Sequence, residues 1–160
     1  MSTSEITLPI NVEALTLDAA KSMHSSLAEI IAKLEADLPI TLTLPAATIE
    51  LAKGERFAGL VLSEDGKPSH HLVLLPGQAT DVDWDDAKTW AASIGGELPT
   101  RQEQALLFAN LKGSFETRAY WSGTPPSSGH AWCQYFSSGG QDNYSTSAEL
   151  CARAVRRLPI

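Results

Sequence analysis

The side chains of this chain that could do chemistry are few: two cysteines, four histidines, an acidic run at Asp81, Asp83, Asp85 and Asp86, and the serines beside His130. A zinc site needs about four ligands at suitable spacing, and His24, His70, His71 and His130 are scattered without one. Asp81, Asp83 and Asp85 match the first three ligand positions of a calcium loop. The sixth position, where the turn needs glycine, is Asp86, and the twelfth, where a glutamate should close the site, is Ala92. Ser127 and Ser128 near His130 look like half of a nucleophile and base pair, but no neighbouring carboxylate orients the imidazole, and only a distant one such as Asp142 would complete the set. Serines in such loops ordinarily serve turns. Cys133 and Cys151 could approach disulfide distance only from neighbouring strands, and two cysteines are too few to define a framework. They read better as small buried apolar residues. The chain is therefore expected to be no enzyme, with no metal and no cofactor.

What remains is a polar surface between Tyr120 and Ser147. His130, Gln134, Gln141, Asp142, Asn143 and Tyr144 are the candidate ligand-binding residues, because tyrosine with amide and hydroxyl side chains combines rigid contact area with adaptable hydrogen bonds. For any one of them taken alone, an ordinary solvated turn or strand position is the simpler account. The formal charge of -7 argues against a nucleic-acid partner, which would need lysine and arginine to neutralise phosphates. Only the last third is mildly basic, largely through Arg153, Arg156 and Arg157. In an alternating strand these three cannot share one face. The expectation is two solvated guanidinium groups and one that braces the fold. Apolar runs such as Leu72–Leu75 are far too short to span a bilayer, and no basic segment followed by an apolar block opens the chain, so neither a membrane span nor a signal peptide is expected.

The elements that must position these residues fall into two parts, an N-terminal arm and helix over 1–50 and a domain over 51–160. Leu17, Ala20, His24, Leu27, Ile31, Leu34 and Leu38 recur every three or four residues, predicting an amphipathic helix from Thr16 to Asp37 with Pro39 as its stop. The stripe covers about three heptads, so it either packs on its own subunit or joins copies of itself into a homo-oligomer. His24 lies on it, where protonation would bring like charges together in such an assembly. Residues 57–62 and 71–75 read as strands joined by the Asp65-Gly66 turn. Asp83 is placed to cap a helix over 84–94, stopped by Gly95-Gly96, with Trp84, Ala87, Trp90 and Ala91 on its inward face. Thr100-Arg101-Gln102-Glu103 is a capping box opening a second helix that closes at Lys112-Gly113. Residues 131–136 alternate as a strand, 137–140 turn, 141–147 are polar, and 150–158 return as a final strand. Two short helices with a small antiparallel sheet make an α+β arrangement.

Trp84 and Ala87, the run Gly95-Gly96-Glu97-Leu98-Pro99-Thr100-Arg101-Gln102-Glu103, Tyr120-Trp121-Ser122, Ala131-Trp132 with Phe136, and Arg153-Ala154-Val155-Arg156 occur in an order that resembles the C-type lectin-like superfamily. The resemblance is to the bacterial and phage family of unknown function that also forms the C-terminal domain of the Lcl collagen-like adhesin, and it covers about residues 55–158. It implies a C-type lectin-like fold in which the N- and C-terminal strands pair and an irregular loop region binds a protein or glycan. It also implies a phage or prophage origin, with the protein in the host cytoplasm or the virion. Calcium-dependent lectins of the superfamily carry Glu-Pro-Asn or Gln-Pro-Asp, whereas the nearest segment here is Gln141-Asp142-Asn143, without proline. The formylglycine-generating enzymes of the same fold use two close cysteines, which Cys133 and Cys151 are not. Fold alone does not select a role. The expectation is a non-enzymatic binding module, with two alternatives: a structural or assembly protein oligomerising through the N-terminal helix as a virion decoration or tip, and an enzyme on the same scaffold.

Overall fold

The computed structural model of the chain describes residues 16–36, 47–124, 127 and 129–160. Among them are three α-helices and two sheets, an α+β fold. The chain divides into two compact units, Met1–Leu42 and Thr43–Ile160. No helix of the described residues is long and apolar enough to cross a membrane.

In the first unit, α1 spans Leu17–Ala36. Thr16 caps it, its hydroxyl accepting from the Ala19 amide at 3.2 Å. Asp18 in the first turn and Lys33 in the last suit the helix dipole. None of its residues is buried, and Leu17, Met23, Leu27, Ile30, Ile31 and Leu34 are all exposed. Met23 and Ile30 widen the apolar side beyond the stripe read from the sequence. Leu38, Pro39 and the segments around Pro9 and Pro45 lie outside the described residues.

The second unit begins with a hairpin of β1 (Arg56–Leu62) and β2 (Pro68–Leu74). Its turn is closed by Ser63 donating to the Lys67 carbonyl at 2.9 Å, with Gly66 at φ 78°, a conformation that favours glycine. The C-terminal strand β8 (Val155–Pro159) pairs antiparallel with β2, completing a three-stranded sheet ordered β1-β2-β8. The second sheet is ordered β3-β7-β4-β5-β6: β3 Ala79–Val82, β7 Leu150–Ala152, β4 Ala119–Trp121, β5 His130–Tyr135 and β6 Gln141–Ser145. Its pairs are antiparallel except β4 with β7.

Two sequence expectations are corrected here. The stretch 150–158 is not one strand but two, in different sheets, because the chain turns at Arg153. That guanidinium donates to the Leu75 carbonyl at 3.1 Å and the Ser114 carbonyl at 2.5 Å. Likewise, none of the three C-terminal arginines is simply solvated. Arg156 grips Glu55 through Nε and Nη2 at 2.8 and 2.7 Å, and Arg157 grips Glu103 the same way at 2.6 and 2.7 Å.

Helix α2 (Trp84–Ser93) starts where the Asp83 carboxylate accepts from the Asp86 amide at 2.8 Å. It ends in a Schellman arrangement, with Gly95 and Gly96 donating to Ala92 and Ala91 at 3.0 Å each. Gly96 is also pressed against the sheet: a Cβ there would meet Leu75 Cδ1 at 2.5 Å and the Val155 carbonyl at 2.9 Å. Helix α3 (Arg101–Leu111) opens with both halves of the Thr100/Glu103 capping box in place and runs into a 3-10 turn at Lys112–Ser114. Adjacent residues of β4 point to opposite faces and anchor two core clusters. Tyr120 packs with Leu72, Leu74, Leu107 and Phe136, and Trp121 with Ala87, Ala91, Leu98, Ala131 and Cys133.

Candidate ligand-binding face

Alternation along β5 and β6 sorts the polar residues between Tyr120 and Ser147 onto two faces. The register pairs His130 with Ser145, Trp132 with Asn143, and Gln134 with Gln141, so these six share one face; Ala131 with Tyr144 and Cys133 with Asp142 share the other. The six candidates from the sequence therefore do not form one surface. His130, Gln134, Gln141 and Asn143 lie together, whereas Asp142 and Tyr144 point away from them. Nor is Gln134 on the surface: it is 1% exposed, and its side-chain oxygen accepts from Gln141 Nε2 at 2.8 Å. On the opposite face the Tyr144 hydroxyl is hydrogen-bonded to that of Tyr135, and this bond pushes the Tyr135 phenol up to about 12.

One residue the sequence reading left out completes the first face. Arg101, the opening residue of α3, lays its guanidinium over the Trp132 ring, 3.5 Å from the centroid, and donates from Nε to Gln141 Oε1 at 3.0 Å. Gln141 in turn donates to the Arg101 carbonyl at 2.8 Å. Buried Gln134 thus fixes Gln141, and Gln141 with Trp132 fixes Arg101. Stacking of this kind contributes about 0.5–2 kcal/mol and, more to the point here, sets the plane of the cation. Arg118, Arg156 and Arg157 each sit on a carboxylate, but among the described residues Arg101 sits on none. Trp132 is only half-buried, while Trp121 is fully so. Its phase with His130 and Gln134 was a legible hint of a polar face. Nothing local to β5 pointed to Arg101.

Several other ionisable groups brace the fold. Glu103, 1% exposed, accepts from Arg157, from the Thr100 amide at 2.7 Å and from His70 Nε2 at 2.8 Å. Burial works to raise its carboxyl, but the Arg157, Thr100 and His70 bonds together outweigh it and hold the group below the ordinary glutamate range. Glu55 is lowered chiefly by its Arg156 bonds. The aspartates of the calcium-like run are spent separately: Asp81 pairs with Arg118, Asp83 caps α2, and Asp85 pairs with Lys88 at 2.6 Å. Among the described residues no three His, Cys, Asp or Glu side chains are gathered as a metal set. A cleft of about 430 Å³ between the end of α2 and β8 is lined by Lys88, Glu97, Thr100 and Arg157, all of them already engaged in ion pairs or the α3 cap.

The cysteines are both buried and free. β4 lies between their strands, with Cys133 opposite Trp121 and Cys151 opposite Tyr120. Two strand spacings amount to roughly 9.5 Å, beyond the Cα limit of about 7 Å for a disulfide, and the two thiols occupy opposite faces. Burial pushes the Cys133 thiol up to about 11 and raises Cys151 as well. Compared with protein-family models and with curated proteins, the chain matches none.

Proposed function

We propose that residues 51–160 are a C-type lectin-like domain acting as a non-enzymatic binding module, which recognises a protein or glycan through the β5–β6 face. In this reading the chain is phage or prophage encoded and works in the host cytoplasm or on the virion. The observation that carries the reading is the contrast between this face and the rest of the domain. Arg118, Arg156 and Arg157 are each held by a carboxylate and Arg153 by two backbone carbonyls. On the β5–β6 face an aromatic ring, a guanidinium with no carboxylate partner among the described residues and the exposed side chains of His130 and Asn143 are held in register by the sheet. The lectin-like assignment is supported by the return of β8 to the N-terminal hairpin and by two short helices preceding a small sheet. A glycan array and a host-surface binding assay with the full chain and with Asn143→Ala and Tyr144→Ala test it. Signal lost in Asn143→Ala and kept in Tyr144→Ala, whose side chain lies on the opposite face, is expected; binding unaffected by Asn143→Ala refutes the surface.

A second reading rests on α1. Its apolar residues recur at heptad-like spacing and are exposed, with none of the helix's residues buried. Association of α1 with copies of itself would cover them and make the chain a homo-oligomeric assembly protein, with the lectin-like domain presented several times over. Analytical ultracentrifugation of the full chain against a chain lacking residues 1–45 tests this: an oligomer that becomes a monomer is expected, and a monomeric full chain contradicts it.

A further inference from the structure

The geometry points to a specific ligand class for the β5–β6 face: we propose that Arg101 is the receptor for the carboxylate of an acidic sugar residue. This rests on the proposed binding role of that face. Arg101 is held from two sides, its plane by Trp132 at 3.5 Å and its Nε by Gln141 Oε1 at 3.0 Å. With Nε occupied, the side-on approach of a carboxylate is closed. The two terminal nitrogens remain as an end-on fork, a planar pair of donors matched to the two oxygens of a carboxylate. Gln134, buried at 1% exposure beneath the site, anchors Gln141 and so keeps the fork from rotating. A guanidinium oriented this firmly in a chain of net charge -7, with no carboxylate partner among the described residues, is complementary to an anion that comes from outside.

The neighbouring residues favour a sugar over a protein side chain. Asn143 lies opposite Trp132, and His130 and Ser145 form the next rung out, all three exposed on the Arg101 side of the sheet. Amide, imidazole and hydroxyl groups pair with the hydroxyls of a pyranose ring. A protein partner would need an apolar centre within an interface of about 1,000 Å² or more, and the one aromatic ring on this face, Trp132, is half-buried and covered by the Arg101 guanidinium.

Isothermal titration of the full chain with sodium glucuronate, glucose and N-acetylglutamate tests the assignment. Glucuronate is expected to bind at millimolar strength, with glucose about tenfold weaker, the loss of one hydrogen-bonded charge pair. Arg101→Gln should lose the same factor, with a melting temperature lowered by no more than the ~2–8 °C that the lost stacking costs. Arg101→Lys, which keeps the charge but not the fork or the stacking, should fall between them and serves as the readout if the glutamine variant folds poorly. Glucuronate and glucose binding equally, or Arg101→Gln binding like the parent, overturns the proposal. N-acetylglutamate binding as tightly as glucuronate overturns the sugar assignment but leaves a ligand face on β5–β6. No binding of any probe overturns the proposal too, while the array signal of the Asn143→Ala variant decides separately whether the face binds at all.

Discussion

Replacing Glu103 by glutamine should be the most damaging single-atom change in the domain. The carboxylate is 1% exposed and closes four hydrogen bonds from three elements: two from Arg157 on β8, one from the Thr100 amide at the start of α3, and one from His70 on β2. The amide keeps the shape but turns a donor toward a donor, leaving Arg157 with only exposed Glu97 as a carboxylate partner. Breaking a buried ion pair from one side costs about 3–5 kcal/mol, against a total stability of about 5–15 kcal/mol for a domain. At about 4 °C per kcal/mol for a unit of this size, the melting temperature should fall by about 12–20 °C. Tryptophan fluorescence during urea and thermal unfolding is the assay, since all four tryptophans lie in the second unit and α1 adds nothing to the signal. Removing both partners in Glu103→Leu/Arg157→Met should cost less than the two single substitutions added together, because no charge is then stranded. A Glu103→Gln variant within about 1 kcal/mol of the parent would refute the reasoning, since half-buried Arg157 would lose its buried carboxylate and keep only exposed Glu97.

The same network sets acid stability. Glu103 and Glu55 are lowered in the folded chain, so their contribution is fully present above the ordinary glutamate value of 4.5 and is lost as pH falls through the folded values. Urea midpoints measured from pH 6 to pH 2 should decline most steeply below 4.5, and less steeply in Glu103→Gln; parallel curves would contradict the assignment. Ellman's reagent should find no reactive thiol in the native protein and two after guanidinium unfolding, because both cysteines are buried with raised thiols. Non-reducing electrophoresis should show no internal crosslink, and a thiol count of zero in denaturant would be the opposing result. Gly96→Ala should destabilise by about 1–3 kcal/mol by wedging α2 away from Leu75 and Val155, read as a lower urea midpoint. An unchanged midpoint would mean that helix and sheet part without strain.

Local rules carried most of the fold from the letters. The capping aspartate at 83, the box at Thr100 and Glu103, the Gly95-Gly96 stop and the Asp65-Gly66 turn all appear where nearest-neighbour chemistry puts them, because each is decided within a few residues. What sequence spacing did not reveal depends on contacts between distant segments. The break at Arg153 is set by carbonyls of Leu75 and Ser114, and the pairing of Arg156 and Arg157 by Glu55 and Glu103. The strand β6 was hidden because an edge strand of polar residues carries no burial pattern of its own. The candidate site shows the same division. His130, Gln141 and Asn143 were legible as polar residues near a turn, but their separation from Asp142 and Tyr144 follows from the β5–β6 register. Arg101 joins them only through tertiary packing over Trp132.

The claim that the β5–β6 face takes the ligand is tested most directly by the indole N–H resonances of the four tryptophans, assigned with Trp132→Phe, during titration with a ligand positive on the array. Trp84 and Trp121 donate their indole N–H groups to the carbonyls of Ser122 and Val82 at 2.8 and 2.9 Å, so they report on the core, while Trp132 reports on the face. Movement of the Trp132 signal with the Trp84 and Trp121 signals still is the predicted result. A saturating ligand that leaves Trp132 unmoved would contradict it.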